Sequence, residues 1–161
     1  ELATCRWIGR RHNLFITGPT GGGTTYLACA LAQKACREGK RCLYFHFPEL
    51  LQELNISRAE GSQRLLVRKL ATRDLLVIDD WLREPVSAEI ARGLADLMDD
   101  RFRNKSTLFA TQFPVAEWHG RFQDPTLADA VLDRIVHDSY RIELSGDSMR
   151  KRTSDLTKSA T

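Results

Sequence analysis

The residues best suited to chemistry lie in two short stretches. The first is Gly18-Pro19-Thr20-Gly21-Gly22-Gly23-Thr24-Thr25, set between an apolar run and a helical pattern. Glycines at such a turn leave backbone N–H groups free to face an anion, and the amino end of the following helix adds a positive field. The spacing G-x-x-x-x-G-K-[ST] of a phosphate-binding P-loop is met at Gly18, Gly23 and Thr25. It fails at Thr24, which stands where the lysine belongs. That lysine neutralises charge on the β/γ-phosphates, so its loss is expected to weaken triphosphate binding and to impair phosphoryl transfer further. No Lys or Arg within the loop replaces it. The second stretch, Leu75-Leu76-Val77-Ile78-Asp79-Asp80, is an apolar strand ending in two acids, the form of a Walker B segment. Asp79 is expected to hold Mg²⁺ with the Thr25 hydroxyl, and Asp80 to orient the attacking water. The plain structural alternatives are a ligand-free glycine turn and two aspartates that begin a turn before Trp81.

Both stretches need strands and helices to position them, and the hydrophobic pattern supplies an α/β alternation with a mostly parallel five-stranded sheet. Leu14–Thr17 reads as a buried strand, and Thr24–Arg37 as a helix with Leu27, Ala28, Leu31 and Ala35 on one face and Gly39 past its end. Arg41–His46 reads as a second strand, stopped by Pro48. Helices are expected at Pro48–Leu54 and Gln63–Ala71, separated by the polar stretch 57–62. Leu75–Ile78 is a continuous apolar strand, fitting a sheet covered on both faces. Ser87 caps a helix reaching about Arg103, Thr107–Ala110 is a fourth strand, Leu127–Val136 a helix, and Tyr140–Leu144 a fifth strand. Residues 1–150 are expected to form one core, with 151–161 a polar, disordered tail.

Composition bounds what this core can be. The 161 residues are 42% apolar and 28% charged, with 24 basic against 21 acidic side chains, which excludes a collagen-like, supercharged or wholly disordered chain. A net charge of +3 says little about partners. No apolar run approaches the ~20 residues of a membrane span, and the amino end lacks a signal-peptide pattern, so a cytoplasmic protein without membrane contact is expected. The chain opens at Glu1 rather than Met and reads as a piece of a longer protein. Cys5, Cys29, Cys36 and Cys42 form no C-x-x-C pair and show no zinc spacing with the scattered histidines, so reduced thiols are expected.

Further segments extend the pattern: Asn13-Leu14-Phe15-Ile16-Thr17-Gly18-Pro19-Thr20-Gly21, Leu76-Val77-Ile78-Asp79-Asp80-Trp81, Phe113-Pro114-Val115-Ala116-Glu117-Trp118-His119, Leu132-Asp133-Arg134-Ile135-Val136-His137 and Gly146-Asp147-Ser148-Met149-Arg150. With these the chain resembles the IstB-like transposition helper ATPases, close to the DnaC-type helicase loaders within the AAA+ class, from about Trp7 to Arg152. The resemblance implies a P-loop NTPase three-layer sandwich that binds ATP or ADP with Mg²⁺ through residues 18–25. It places Gln112 at the sensor-1 position near the γ-phosphate, where the family usually has Asn, with Thr111 as the neighbouring alternative. It matches Arg134 to the arginine finger, acting across a subunit boundary, and Arg150 to the sensor-2 arginine. The plain alternatives are a helix-end arginine complementing the dipole and an exposed tail cation. Full-length relatives also carry an amino-terminal region for partner contact and DNA binding, which this sequence lacks.

Relatives bind duplex DNA through the inner face of a ring or helical assembly. In AAA+ initiators and loaders the segment between the second and third strands carries an extra helix facing nucleic acid. Here that segment holds Arg58, Arg64, Arg68 and Lys69. Arg64 and Arg68 are four apart and share a helix face, suited to phosphate contact without base reading; a solvated helix face is the alternative. Arg150-Lys151-Arg152 is a second basic candidate. The leading expectation is therefore an ATP-binding helper that assembles on double-stranded DNA and engages a transposase, with hydrolysis impaired by Thr24. A nucleotide-insensitive DNA-binding scaffold is the reading Thr24 favours, and a DnaC-like helicase loader is a further one. A nicotinamide-dependent oxidoreductase is set aside: G-x-G-x-x-G fails at Thr24-Thr25-Tyr26, and no tyrosine has a lysine four residues on.

Overall fold

In the computed structural model, which describes residues 2–145, five segments become the strands β1 (Asn13–Thr17), β2 (Cys42–His46), β3 (Leu75–Asp79), β4 (Ser106–Thr111) and β5 (Ser139–Glu143). All four strand pairings are parallel, in the order β2-β3-β4-β1-β5. The helices, in chain order, are α1 (Arg6–Gly9), α2 (Thr24–Arg37), α3 (Phe47–Glu60), α4 (Gln63–Ala71), α5 (Ala88–Arg101), α6 (Val115–Trp118) and α7 (Pro125–Val136).

Side chains alternate between faces along each strand, so the apolar strands feed two cores at once. Leu14, Ile16, Leu75, Val77, Leu108 and Ala110 pack on one side with Trp7 and Ile8 of α1 and Ala28, Leu31 and Ala35 of α2. Phe15, Leu76, Ile78 and Phe109 face the larger core, built from α3, α4, α5 and α7. The three-layer sandwich implied by the resemblance is thus the observed one. Trp81, directly after the two acids, is fully buried in this larger core. Its ring lies edge-on to Phe47, Phe109, Trp118 and Phe122, with centroids 5.0, 4.8, 6.1 and 6.5 Å away. Edge-to-face aromatic pairs add roughly 0.5–1.5 kcal/mol each beyond area burial, so the end of β3 is firmly rooted.

Several boundaries differ from the sequence reading. Helix α3 runs to Glu60 instead of Leu54, taking in most of the polar stretch. Leu50, Leu51, Leu54 and Ser57 keep helical spacing on its buried face, and the Ser57 hydroxyl donates to Leu54 O at 3.0 Å. Gly61, at φ 73°, ends the helix in the left-handed conformation that glycine adopts without a Cβ penalty. Pro48 sits in the first turn of α3 and starts the helix more than it stops β2. Helix α7 begins at Pro125, because the Asp124 carboxylate accepts from the N–H groups of Thr126 and Leu127. Helix α5 ends at Arg101, where Phe102 turns extended.

Arg101 is the least expected core residue, 2% exposed. Its guanidinium donates to Leu70 O at 2.7 Å, Arg73 O at 2.8 Å and Ser106 O, and its Nε donates to the Thr107 hydroxyl at 2.9 Å. One side chain therefore ties the last turn of α5 to the end of α4 and the start of β4. Burial pushes its pKa down to about 10, which leaves it charged at neutral pH.

Candidate functional site

Because α2 starts directly after the glycine loop, β1 delivers the loop to the end of the sheet where Asp79 also emerges from β3. Gly21 and Gly23 hold φ of 77° and 96°, left-handed values that side chains resist. Gly22 N donates to Pro19 O at 2.8 Å, and Gly18 N donates to Thr111 O at 3.2 Å, anchoring the loop to β4. A Cβ on Gly22 would stand 2.8 Å from Pro19 O, and one on Gly18 would stand 3.0 Å from Leu144 Cβ. The loop closes on itself as tightly as glycine allows.

The Thr25 hydroxyl donates to Asp79 Oδ1 at 3.2 Å, bringing together the pair expected from spacing alone. Asp79 is buried, and its other oxygen accepts from the Tyr44 hydroxyl at 2.6 Å. Burial, then the hydrogen bond to Asp79, push the Tyr44 phenol above its ordinary range, so it stays a donor. Asp80 occupies a left-handed turn position, φ 52°, and Oδ2 meets His46 Nε2 at 2.5 Å and Arg83 Nη1 at 3.4 Å. The two aspartates do open a turn, since Arg83 N donates to Asp80 O at 3.0 Å, yet they also face the glycine loop.

From β4, Gln112 Oε1 accepts from the Thr20 hydroxyl at 2.6 Å. Gln112 thus reaches the loop. Thr111, the neighbouring alternative, is buried; its hydroxyl donates to Trp81 O at 2.7 Å and accepts from Phe113 N at 3.1 Å. Its polar atoms are committed to structure. Together these elements border a cleft of 880 Å³ lined by residues 18–21 and 23–26 with Asp80, Arg83, Gln112 and Phe113 among others. Thr24 lines it too, with no charge to offer.

Other expected residues stand elsewhere. Arg134, in the last turn of α7, pairs with Asp99 Oδ1 at 3.0 Å and lies over the Phe102 ring at 4.9 Å; it does not line this cleft. On α4, Val67 and Leu70 face the core while Arg64, Arg68 and Lys69 are exposed, as is Arg58 at the end of α3. Lys69 shares a shallow groove with Glu53 and Glu60, so this face is not uniformly basic. Arg150, Lys151, Arg152 and the tail lie outside the described residues.

Tyr44, His46 and Arg83 were missed by the sequence reading. A signal existed for two of them: Tyr44 and His46 alternate on an otherwise apolar strand that pairs with β3 in the register His46↔Asp79. The four cysteines are free, two of them on α2 as expected. Among the described residues no helix is long and apolar enough to cross a membrane.

A glycine loop joining β1 to α2, an acid pair closing β3 and an all-parallel sheet in this strand order define a P-loop protein of the AAA+ kind. More narrowly, the chain belongs to the IstB-like ATP binding protein family, whose model matches residues 1–157. A relative from Sinorhizobium fredii, named as insertion sequence ATP-binding protein y4uH, is 44% identical over 145 residues, 90% of this chain and 58% of its own length. The chain therefore spans little more than half of that relative. Among solved structures, the DnaC helicase loader superposes with a TM-score of 0.73 at 22% identity, covering 88% of this chain and 86% of that one. AMPPCP-bound DnaA from Aquifex aeolicus gives 0.73 at 18% identity, covering 96% and 48%. These two show the shared fold.

Proposed function

We propose that the chain is the nucleotide-binding core of a cytoplasmic insertion-sequence helper that assembles on double-stranded DNA as a ring or helical oligomer and engages a transposase. The carrying observation is the Thr25–Asp79 contact beside a glycine loop in which a Cβ at Gly18 or Gly22 would crowd its neighbours. The donor set fits Mg²⁺ with ATP or ADP, since that cation takes hard oxygens from one or two side chains and the rest from phosphate and water. No cluster of three or more His, Cys, Asp or Glu side chains among the described residues is arranged to hold a metal by itself.

In this reading the backbone N–H groups of residues 18–25 hold the phosphates, and Thr25 and Asp79 hold Mg²⁺, with Tyr44 keeping Asp79 in place. Mg²⁺ when bound neutralises phosphate charge and aligns the phosphate oxygens. Asp80, steadied by His46, orients water, and Gln112 hydrogen-bonds near the terminal phosphate. Arg134 acts on the nucleotide of a neighbouring subunit after exchanging Asp99 for it, and Arg150 serves as the sensor-2 cation. Arg58, Arg64, Arg68 and Lys69 contact DNA phosphates without reading bases.

The test is calorimetric titration of Mg²⁺ with ATP or ADP into the chain and into Thr24→Lys, followed by turnover with DNA. Weak binding and negligible hydrolysis are expected, with affinity raised about tenfold or more in the variant, the scale of one charge-assisted phosphate contact. Unchanged affinity in Thr24→Lys would show that the loop is not a working phosphate cradle, and absence of binding in both chains would replace this reading with the nucleotide-insensitive scaffold. Brisk turnover by the unmodified chain would overturn the reading of position 24.

Duplex binding is expected to weaken steeply with salt, and Arg64→Ala with Arg68→Ala to reduce the log–log slope by about 0.9 for each phosphate no longer neutralised. Affinity that holds constant from low to high salt counts against the DNA assignment.

A further inference from the structure

With threonine at position 24, the charge that meets a nucleotide is decided at the rim of the cleft. The described residues lining the cleft include two charged side chains, Asp80 and Arg83. Were Arg83 neutral, Asp80 would be the charged side chain left among the described residues lining the cleft, and the loop N–H groups would face the polyphosphate without a cationic side chain beside them.

The backbone that carries Arg83 is fixed. Leu82 is fully buried in a left-handed conformation, φ 63°. Arg121, its guanidinium 4.6 Å from the Phe113 ring centroid, donates to Leu82 O at 3.0 Å and to Arg83 O at 2.8 Å. Trp81 N donates to Ala110 O at 2.9 Å, and Arg83 N donates to Asp80 O at 3.0 Å. The side chain is free by contrast: 60% exposed, with its guanidinium 3.4 Å from Asp80 Oδ2. An exposed pair of that length is a weak tether. A guanidinium also offers two parallel N–H donors that match phosphate oxygens, and it remains charged at every working pH.

We propose that Arg83 substitutes for the missing P-loop lysine, exchanging Asp80 for the outer phosphate oxygens of the nucleotide. This rests on the nucleotide-site reading above. The exchange leaves Asp80 with His46 at 2.5 Å, so the acid keeps one orienting partner. A cation reaching in from beside Asp80 acts on the outer phosphates, so Arg83 favours ATP over AMP.

The experiment is a calorimetric titration of ATP and AMP, each with Mg²⁺, into the unmodified chain, Arg83→Gln, Arg83→Lys, Thr24→Lys and the Thr24→Lys/Arg83→Gln double variant. Circular dichroism confirms that each is folded. Arg83→Gln is expected to lose about tenfold in ATP affinity, ~1.4 kcal/mol, with AMP affinity within about twofold. Arg83→Lys is expected to recover most of the loss. With Thr24→Lys present, the cost of Arg83→Gln is expected to shrink to about twofold, because two groups then serve one charge. ATP binding unaffected by Arg83→Gln overturns the proposal and leaves the nucleotide site standing. An equal cost with and without Thr24→Lys overturns the substitution, since Arg83 would then act independently. Binding by Thr24→Lys but not by the unmodified chain also overturns it. Absence of binding in every protein overturns the nucleotide-site reading together with this one.

Discussion

Arg101→Met is expected to lower stability by about 3–5 kcal/mol and the thermal midpoint by about 10 °C. Methionine fills much of the same space, so the loss is not chiefly a cavity. It is polar: the carbonyls of Leu70, Arg73 and Ser106 lose a buried donor. Each carbonyl left dry costs about 1–3 kcal/mol, and water reaches a position 2% exposed only by opening the structure. Two of these carbonyls lie at the end of α4, where a helix runs out of its own donors. A cation there also complements the helix dipole. Arg101→Lys, which keeps the charge but offers fewer donors in another geometry, is expected to fall between. Differential scanning calorimetry checks the series, and a midpoint for Arg101→Met within about 2 °C of the unmodified chain would refute the clamp. The effect reaches function because the strand entered just after Arg73 is β3, which ends in Asp79.

Gly22→Ala is expected to cost at least about tenfold in nucleotide affinity, measured in the Thr24→Lys background where binding is tight enough to follow. The added Cβ would stand 2.8 Å from Pro19 O, a separation that real Cβ atoms do not adopt. The hydrogen bond from Gly22 N to that same oxygen must therefore break or lengthen, and the N–H groups along the loop turn away from a common centre. Gly120→Ala is the matched control: nothing lies within 4 Å of its added Cβ, and its affinity is expected to stay within about twofold. Equal affinities for the two alanine variants would show that the loop does not grip phosphate through its backbone.

The fold was legible because its central strands, β1, β3 and β4, are apolar on both faces and its connections are helical, a pattern with few solutions. The loop and the acid pair were legible because glycine spacing and a terminal aspartate are local features of the chain. Arg83 was hidden for the opposite reason. Only the turn after Asp80, held by Arg121 from a distant segment, brings it beside the loop. Tyr44 and His46 depended on β2 lying next to β3, which parallel pairing across a long connection does not announce. The extent of α3 was underestimated because Ser57-Arg58-Ala59-Glu60 reads as a polar linker. In the protein, Ser57 satisfies its hydroxyl within the helix while its neighbours face solvent. Arg101 carries no mark in the sequence that sets it apart from the other basic residues. Nothing short of the packed structure reveals three carbonyls converging on it.

The aromatic cluster beneath the acid pair gives the protein a built-in optical probe. Trp7, Trp81 and Trp118 are all fully buried, so native emission is that of indoles shielded from water and shifts to the red once the core opens. Trp81 also adjoins Asp80 in the chain and lies against the cleft. Its ring is wedged between Phe47, Phe109, Trp118 and Phe122, and small movements of the acid turn alter how these rings quench and couple. Intrinsic fluorescence is therefore expected to report the integrity of the core, and also ligand arrival where that moves the acid turn, without an attached label.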